Sequence, residues 1–301
     1  MVEQQEKLRR TMMFVPGNSP KMINTADVYG ADSLMFDIED SIAITEKDTA
    51  RLLVAGALKQ LKFSSETVVR INHPTQTPFG MADLASILPA KPDMIRLPKV
   101  ECIEEVELVA HEIEKVEKQM GFSEGSIKII GAIESVKGLY NVREICKGPR
   151  MAAIALGAED FIANLKTQRT KSGIELYYAR SEILMAARDA EIPCMDTVFS
   201  DVNDMEGFVE EVTRSRDMGF DGKSVIHPKQ IDAVHALYTP TEHQIAKACK
   251  VLAAYADALK SNKGVIAVDG KMIDGPIVVR AQRVVQQAKA AGIVLPGEVI
   301  A

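Results

Sequence analysis

Eight apolar runs of strand length, separated by segments of helical periodicity, constrain this chain more than any other feature. They read TMMFVPG (11–17), SLMFDIED (33–40), TVVRIN (67–72), DMIRLPK (93–99), IKIIGAIES (127–135), MAAIALGAED (151–160), CMDTVFSD (194–201) and GKSVIHP (222–228). Most are apolar almost without interruption, as strands covered on both faces are. Between them, SPKMINTADVYG, VECIEEVELVAHEIEKVEKQMG and GIELYYARSEILMAARDA carry helical spacing. Ser19–Pro20 opens the first as N-cap and first helical residue, and Glu114 and Lys118 stand four apart on a solvated face of the second. Eight strands alternating with helices predict an α/β chain, a parallel (β/α)8 TIM barrel in preference to an open doubly wound sheet. No GxGxxG follows the first run and no Walker loop occurs, so nucleotide-binding alternatives lack their phosphate cradle.

The barrel pattern spans residues 1–238, and the remaining 239–301 are surplus to it. There Thr239-Pro-Thr-Glu242 reads as a capping box opening a helix, GVIAVDGKMID (264–274) as a hairpin turning at Asp269–Gly270, and Pro276 as the start of a final helix. We read this helix–hairpin–helix extension as a cap or oligomer arm of the same structural unit. With 301 residues, 47% of them hydrophobic, and a net charge of −6, the chain has the composition of a globular protein without broad affinity for nucleic acid or anionic membrane. The four cysteines (Cys102, Cys146, Cys194, Cys249) form no CxxC and are expected to be reduced thiols. TMMFV is too short for a signal sequence and no run spans a membrane, so a cytoplasmic location is expected.

In such barrels the chemistry sits where strands end. Those positions hold Asp37, Glu39 and Asp40 after the second run, Arg70 and Asn72 on the third, and Arg96 and Lys99 on the fourth. Glu134, Asp160 (with Glu159), Asp196 or Asp201, and His227 follow on the fifth to eighth. Glu134 and Asp160 end consecutive strands, and two carboxylates about 4 Å apart repel by roughly 4 kcal/mol at an effective dielectric near 20. One is protonated, a cationic side chain intervenes, or a metal does; oxygen-only ligands suit Mg²⁺ or Mn²⁺, with water and substrate completing the shell. Plainer roles compete. Asp160 and Asp40 fit helix N-caps, Arg70 fits an ion pair with Glu39, and Lys99 fits an ion pair more often than a Schiff base. His227 before Pro228 fits a loop histidine holding a backbone group, and Met12, Met13 and Met35 fit core filler.

Together FVPGN, LMFDIEDSI with Lys47 and Arg51 after it, VRIN, RLPK, AIES, LGAEDF, FDGKSVIHP and DGKMIDGP resemble the citrate lyase β subunits, within the wider malyl-CoA-lyase-like, metal-dependent barrel lyases. The stretch NLKTQRTKSGIELYYAR (164–180) is similar to the β-subunit loop, favouring an acyl-carrier substrate. The resemblance implies cleavage of citryl-acyl-carrier protein to acetyl-acyl-carrier protein and oxaloacetate, with Mg²⁺ held by Glu134 and Asp160. It implies that Arg70 binds the oxyacid, that Glu39 orients Arg70, and that Asp274 transfers a proton from a neighbouring subunit. Backbone N–H groups of Gly157, Ala158, Glu159 and Asp160 would bind remaining carboxylate oxygens. Implied partners are the acyl carrier and acyl-transferase subunits of a citrate lyase complex and further copies of the chain, as a trimer or hexamer. Lys166, Arg169 and Lys171 present a basic loop for an acidic carrier domain or an ordinary solvated one. Three rivals stand: a lyase of citramalyl-, malyl- or citryl-CoA, a Schiff-base aldolase using Lys99 or Lys223, and a non-catalytic barrel scaffold.

Overall fold

The computed structural model describes residues 7–260, 266–268 and 270–296. All eight runs form strands: β1 (Thr11–Pro16), β2 (Ser33–Asp37), β3 (Glu66–Arg70), β4 (Met94–Leu97), β5 (Lys128–Ile133), β6 (Met151–Leu156), β7 (Cys194–Asp196) and β8 (Gly222–Val225). Each pairs in parallel with the next, and β8 returns to β1 through Met12↔Ser224, closing the barrel as predicted. Helices cover the strands, among them Lys47–Gln60, Ile103–Met120, Ile174–Asp189 and Met205–Met218. Ser19 caps the helix Pro20–Thr25 by accepting from the Met22 N–H, with Pro20 at its first turn.

The strand pleat orders the lumen in layers. Met12, Met35, Val68, Met94, Ile130, Ala153, Ala155 and Met195 form one buried apolar cluster filling its interior. Side chains two residues on must point the same way. Stepping on from Met12, Met35, Val68, Met94, Ala155 and Met195 gives Phe14, Asp37, Arg70, Arg96, Gly157 and Thr197, and four residues past Ile130 stands Glu134. An apolar plug thus supports a polar layer at the C-terminal ends of the strands.

Two compact units separate, Arg9–His235 and the part from Ala236 onward. In the second, the helix Glu242–Lys260 is capped by Thr241, which accepts from the Gln244 N–H while the Gln244 side chain accepts from the Thr241 N–H. The capping box therefore lies two residues later than the pair Thr239–Glu242, since only Thr241 directly precedes the first turn. The hairpin forms, with β9 (Ile266–Val268) antiparallel to β10 (Lys271–Ile273) and Gly270 at φ 75°. Asp269 and Val265 lie outside the described residues. Val268 and Ile273 pack with Ala248, Val251, Val278 and Ala281 of the two flanking helices, so part of the hairpin's apolar face is covered inside its own unit.

Candidate active site

The polar layer lines a cavity of about 400 Å³, whose walls include Phe14, Asp37, Asp40, Arg70, Arg96, Glu134, Gly157 to Asp160, Thr197 and Ser224. Strand register sets its neighbours: Asp37 pairs with Arg70, and Arg70 with Arg96. Arg70 gives Asp37 a two-pronged grip, Nε to Oδ1 and Nη2 to Oδ2, both at 2.7 Å. Its Nη1 lies 3.1 Å from Glu39 Oε2, off the hydrogen-bonding direction. Asp37 therefore aims Arg70, and Glu39 forms the expected ion pair with it without a hydrogen bond; the shared pleat position of Asp37 and Arg70 signals the grip. Asp37 also accepts from the Glu39 and Ser41 N–H groups, and burial against it is outweighed by Arg70, which holds its carboxyl below the usual range.

Glu39 is itself fixed from below. The Lys47 ammonium donates to the carbonyls of Ile38 and Glu39 and to Asn72 Oδ1, pinning the turn after β2. Arg51 donates to Asp83, which accepts in turn from Asn72. Above, Lys99 donates to Glu39 Oε1 at 2.7 Å and to both oxygens of Asp40. Burial favours a neutral Lys99, yet the bond and charge of Glu39 with Asp40 and Asp160 raise its pKa, the opposite of what a Schiff-base amine needs. Lys223 is excluded on direction. It bonds Asp196 at 2.8 Å and Glu211 at 2.6 Å, in a buried cluster with Arg180 and Ser215 from the covering helices. Asp196 and Lys223 thus face out of the lumen, and neither belongs to the site.

Glu134 is buried, and its Oε2 has no hydrogen-bond partner. Burial pushes its carboxyl up to about 8, against the pull of Arg96 and Arg70 and with the push of Glu39 and Asp160. A Cβ on Gly157 would stand 2.5 Å from Glu134 Cγ and 2.8 Å from Oε1, so glycine here lets the carboxylate lie on the β6 turn. The short helix Ala158–Asn164 follows, capped by Gly157, which places Asp160 in its first turn and not at the N-cap. The Asp160 side chain is 47% exposed, and Lys99 passes 3.9 Å from it. Among the described residues no three His, Cys, Asp or Glu side chains converge on a metal position. The pair nevertheless fits a divalent cation: one buried oxygen lacks a partner, a second carboxylate is within electrostatic reach, and water and substrate can complete the shell.

The β6 turn offers fewer donors than expected. The Gly157 N–H bonds the Ile133 carbonyl and the Ala158 N–H bonds Thr197 Oγ1, so neither is open to a ligand. Glu159 turns to Arg169, whose Nη1 donates to it at 2.7 Å while Nη2 donates to both oxygens of Glu211 at 2.9 Å. Arg169 is thereby drawn inward, whereas Lys166 and Lys171 are exposed, which corrects the reading of all three as one docking surface. His227 Nδ1 accepts from the Lys229 N–H and caps the turn Pro228–Gln230, the loop role expected for it. Asp274 belongs to the second unit, where it is exposed and caps the helix Gly275–Ala290 by accepting from the Ile277 N–H. Thr197 and Ser224, absent from the sequence reading, face the cavity by the same alternation that identifies Arg96.

Acids and paired arginines over the plugged end of a parallel barrel form a site suited to an anionic substrate, and the sequence matches give the class of barrel enzyme that carries it. The HpcH/HpaI aldolase/citrate lyase family model matches residues 10–228. The chain belongs to that family and is a carbon–carbon lyase. It is 48% identical over 295 residues to citrate lyase subunit beta of Leuconostoc mesenteroides subsp. cremoris, covering 96% of each chain. It is 45% identical over 286 residues to citrate lyase subunit beta of Haemophilus influenzae, covering 94% of this chain and 98% of that one. Among solved structures it is similar to a citrate lyase beta subunit of M. tuberculosis complexed with oxaloacetate and magnesium. That likeness has a TM-score of 0.66 at 29% identity, over 77% of this chain and 98% of the other. Among the described residues no helix is long and apolar enough to cross a membrane.

Proposed function

We propose that the chain cleaves citryl-acyl-carrier protein to acetyl-acyl-carrier protein and oxaloacetate, as the β subunit of a citrate lyase complex. The observation that carries the reading is Glu134, buried with an unpartnered oxygen on Gly157, near Asp160 and in the cavity that Arg70 enters. Glu134 and Asp160 would hold Mg²⁺ or Mn²⁺, which when bound polarises the substrate hydroxyl and the carboxylate beside it. The reaction removes the hydroxyl proton, breaks the bond between the hydroxyl-bearing carbon and the thioester α-carbon, and leaves the electron pair on that α-carbon as an enolate. Oxaloacetate departs as the ketone, and a proton added to carbon completes the acetyl thioester.

Arg70 is suited to the oxyacid end because it lines the cavity as a cation that Asp37 grips along one edge and Glu39 flanks at Nη1. Glu39 and Lys99 keep the mouth of β2 in place beside it. We assign the carbon-directed proton transfer to Asp274 from a second copy of the chain, in a closed trimer or hexamer. The acyl carrier and acyl-transferase subunits are the remaining partners. Product analysis tests the whole reading: citryl-acyl carrier and citryl-CoA are each incubated with enzyme, with and without EDTA. Oxaloacetate from the carrier substrate, lost with EDTA and restored by Mg²⁺, is expected. Full turnover in EDTA, or a borohydride-trapped lysine adduct, would overturn it.

A further inference from the structure

Arg96 is a buried cation with no carboxylate at ion-pair distance among the described residues; Glu134 acts on its charge only from further off. It occupies the third position of β4, beside Arg70 in register, and is 3% exposed. Its Nε and Nη1 have no hydrogen-bond partner, and among the described residues no carboxylate lies within ion-pair distance of it. Phe14 offers a ring face to both guanidinium groups, at 4.9 Å for Arg70 and 5.6 Å for Arg96. The contrast with Arg70 is sharp. Arg70 spends its charge on Asp37 and Glu39, whereas Arg96 is buried beside that second guanidinium with its Nε and Nη1 unbonded. Burying a charged group without a partner is strongly unfavourable, so such a group persists where something else satisfies it. A second orphan faces the same cavity from across the barrel: Ser224 Oγ on β8, 1% exposed and also without a partner.

The substrate has a matching surplus. A citryl thioester carries one carboxylate on the hydroxyl-bearing carbon and a second on the methylene arm of the same carbon. The first is allotted to Arg70 and the cation. The second has no partner in the proposed function, on which this inference rests. In citramalyl and malyl thioesters a methyl group or a hydrogen replaces the whole arm. We propose that Arg96 binds the second carboxylate, making it the residue that selects a citryl over a citramalyl or malyl group, with Ser224 as an auxiliary donor. Arg96 remains cationic at neutral pH although burial pushes it down to about 10.

Oxaloacetate and pyruvate differ by that one carboxylate, so their relative binding isolates the contact without turnover. Titration calorimetry with Mg²⁺ present should show wild-type chain preferring oxaloacetate roughly 10- to 100-fold, the yield of a charge-assisted bond. Arg96→Met should bring the preference close to one, and Arg96→Lys should leave an intermediate value. A thermal melt should show Arg96→Met as stable as wild type or more so, because an unpartnered buried charge is gone. Should Met fail to fold, Arg96→Gln, which keeps a neutral donor, is read the same way. A preference unchanged in the variants, an equal loss for both ligands, or no preference in wild type would overturn the proposal. An equal loss with a raised Mg²⁺ requirement would mark Arg96 as a support for Glu134 instead. Failure to cleave citryl thioesters would count against the proposed function alone, since the binding preference is read without catalysis.

Discussion

Glu134→Gln should abolish turnover and yet stabilise the metal-free fold at alkaline pH. In the folded chain the carboxyl titrates near 8, against 4.5 for an ordinary glutamate. Its folded-state value lies above the unfolded one, so its contribution is intact below pH 4.5 and is lost as pH rises through about 8. That gap corresponds to about 5 kcal/mol at full ionisation, of which about 4 kcal/mol falls between pH 5 and pH 9. Glutamine keeps the shape and never ionises. In EDTA, urea unfolding of wild type at pH 5, 7 and 9 should therefore lose stability that Glu134→Gln retains, the difference growing with pH. Mg²⁺ should flatten the wild-type curve, because a bound cation favours the ionised carboxylate. Its binding should release a proton near neutral pH, with the release falling as pH rises through the folded carboxyl's range. Parallel wild-type and Glu134→Gln curves in EDTA would refute the buried, cation-dependent carboxylate.

Arg70→Lys should lose roughly 100-fold or more in kcat/KM, nearly as much as Arg70→Ala, because an ammonium cannot keep both Asp37 bonds of about 1.5–3 kcal/mol each and still face the cavity; most of the rate surviving in the lysine enzyme would reduce Arg70 to a source of positive potential. Gly157→Ala drives a methyl group into Glu134 and should weaken Mg²⁺ binding roughly 10-fold, from about 1–3 kcal/mol of overpacking; an unchanged Mg²⁺ titration would remove Glu134 from the cation site. Paired Lys166→Glu and Lys171→Glu changes should raise KM for the carrier-bound substrate several-fold at low salt with kcat little altered, and an equal effect on a small thioester would remove the docking role. Asp274→Asn and Glu134→Gln chains, each inactive, should regain roughly a quarter of wild-type activity when co-refolded as mixed oligomers if the site is shared between copies; no recovery in verified mixed oligomers would place Asp274 on its own barrel.

Strand number and order were legible because long apolar runs have few meanings, and eight of them between amphipathic helices admit few closed arrangements. The extension was legible only in outline. Its capping box was displaced by two residues because Thr239 and Thr241 offer the same local chemistry, and only helix geometry chooses between them. The loop after β6 misled for a related reason. Lys166, Arg169 and Lys171 form one basic cluster in the chain, but Glu211, 42 residues beyond Arg169, draws the arginine inward. A long-range ion pair has no signature within the loop itself.

Inside the barrel the outcome turned on which way each polar side chain points. Strand-end position alone admits Asp196 as a candidate and Lys223 as a Schiff-base lysine, beside Arg70 and Glu134. The apolar plug separates them. Met195 faces the lumen, so Asp196 must face the helices, and there it meets Arg180, Ser215 and Lys223. Met94 and Val68 face the lumen, so Arg96 and Arg70 must stand together above them. Of these two, Arg70 has its carboxylates supplied by β2 and the turn after it, which place three acids within four residues. Arg96 faces β5, whose single acid has the protonation range of a group waiting for a cation of its own. One layer of the barrel therefore holds a satisfied arginine and an unsatisfied one side by side. That asymmetry suits a substrate with two unequal carboxylates better than a substrate with one.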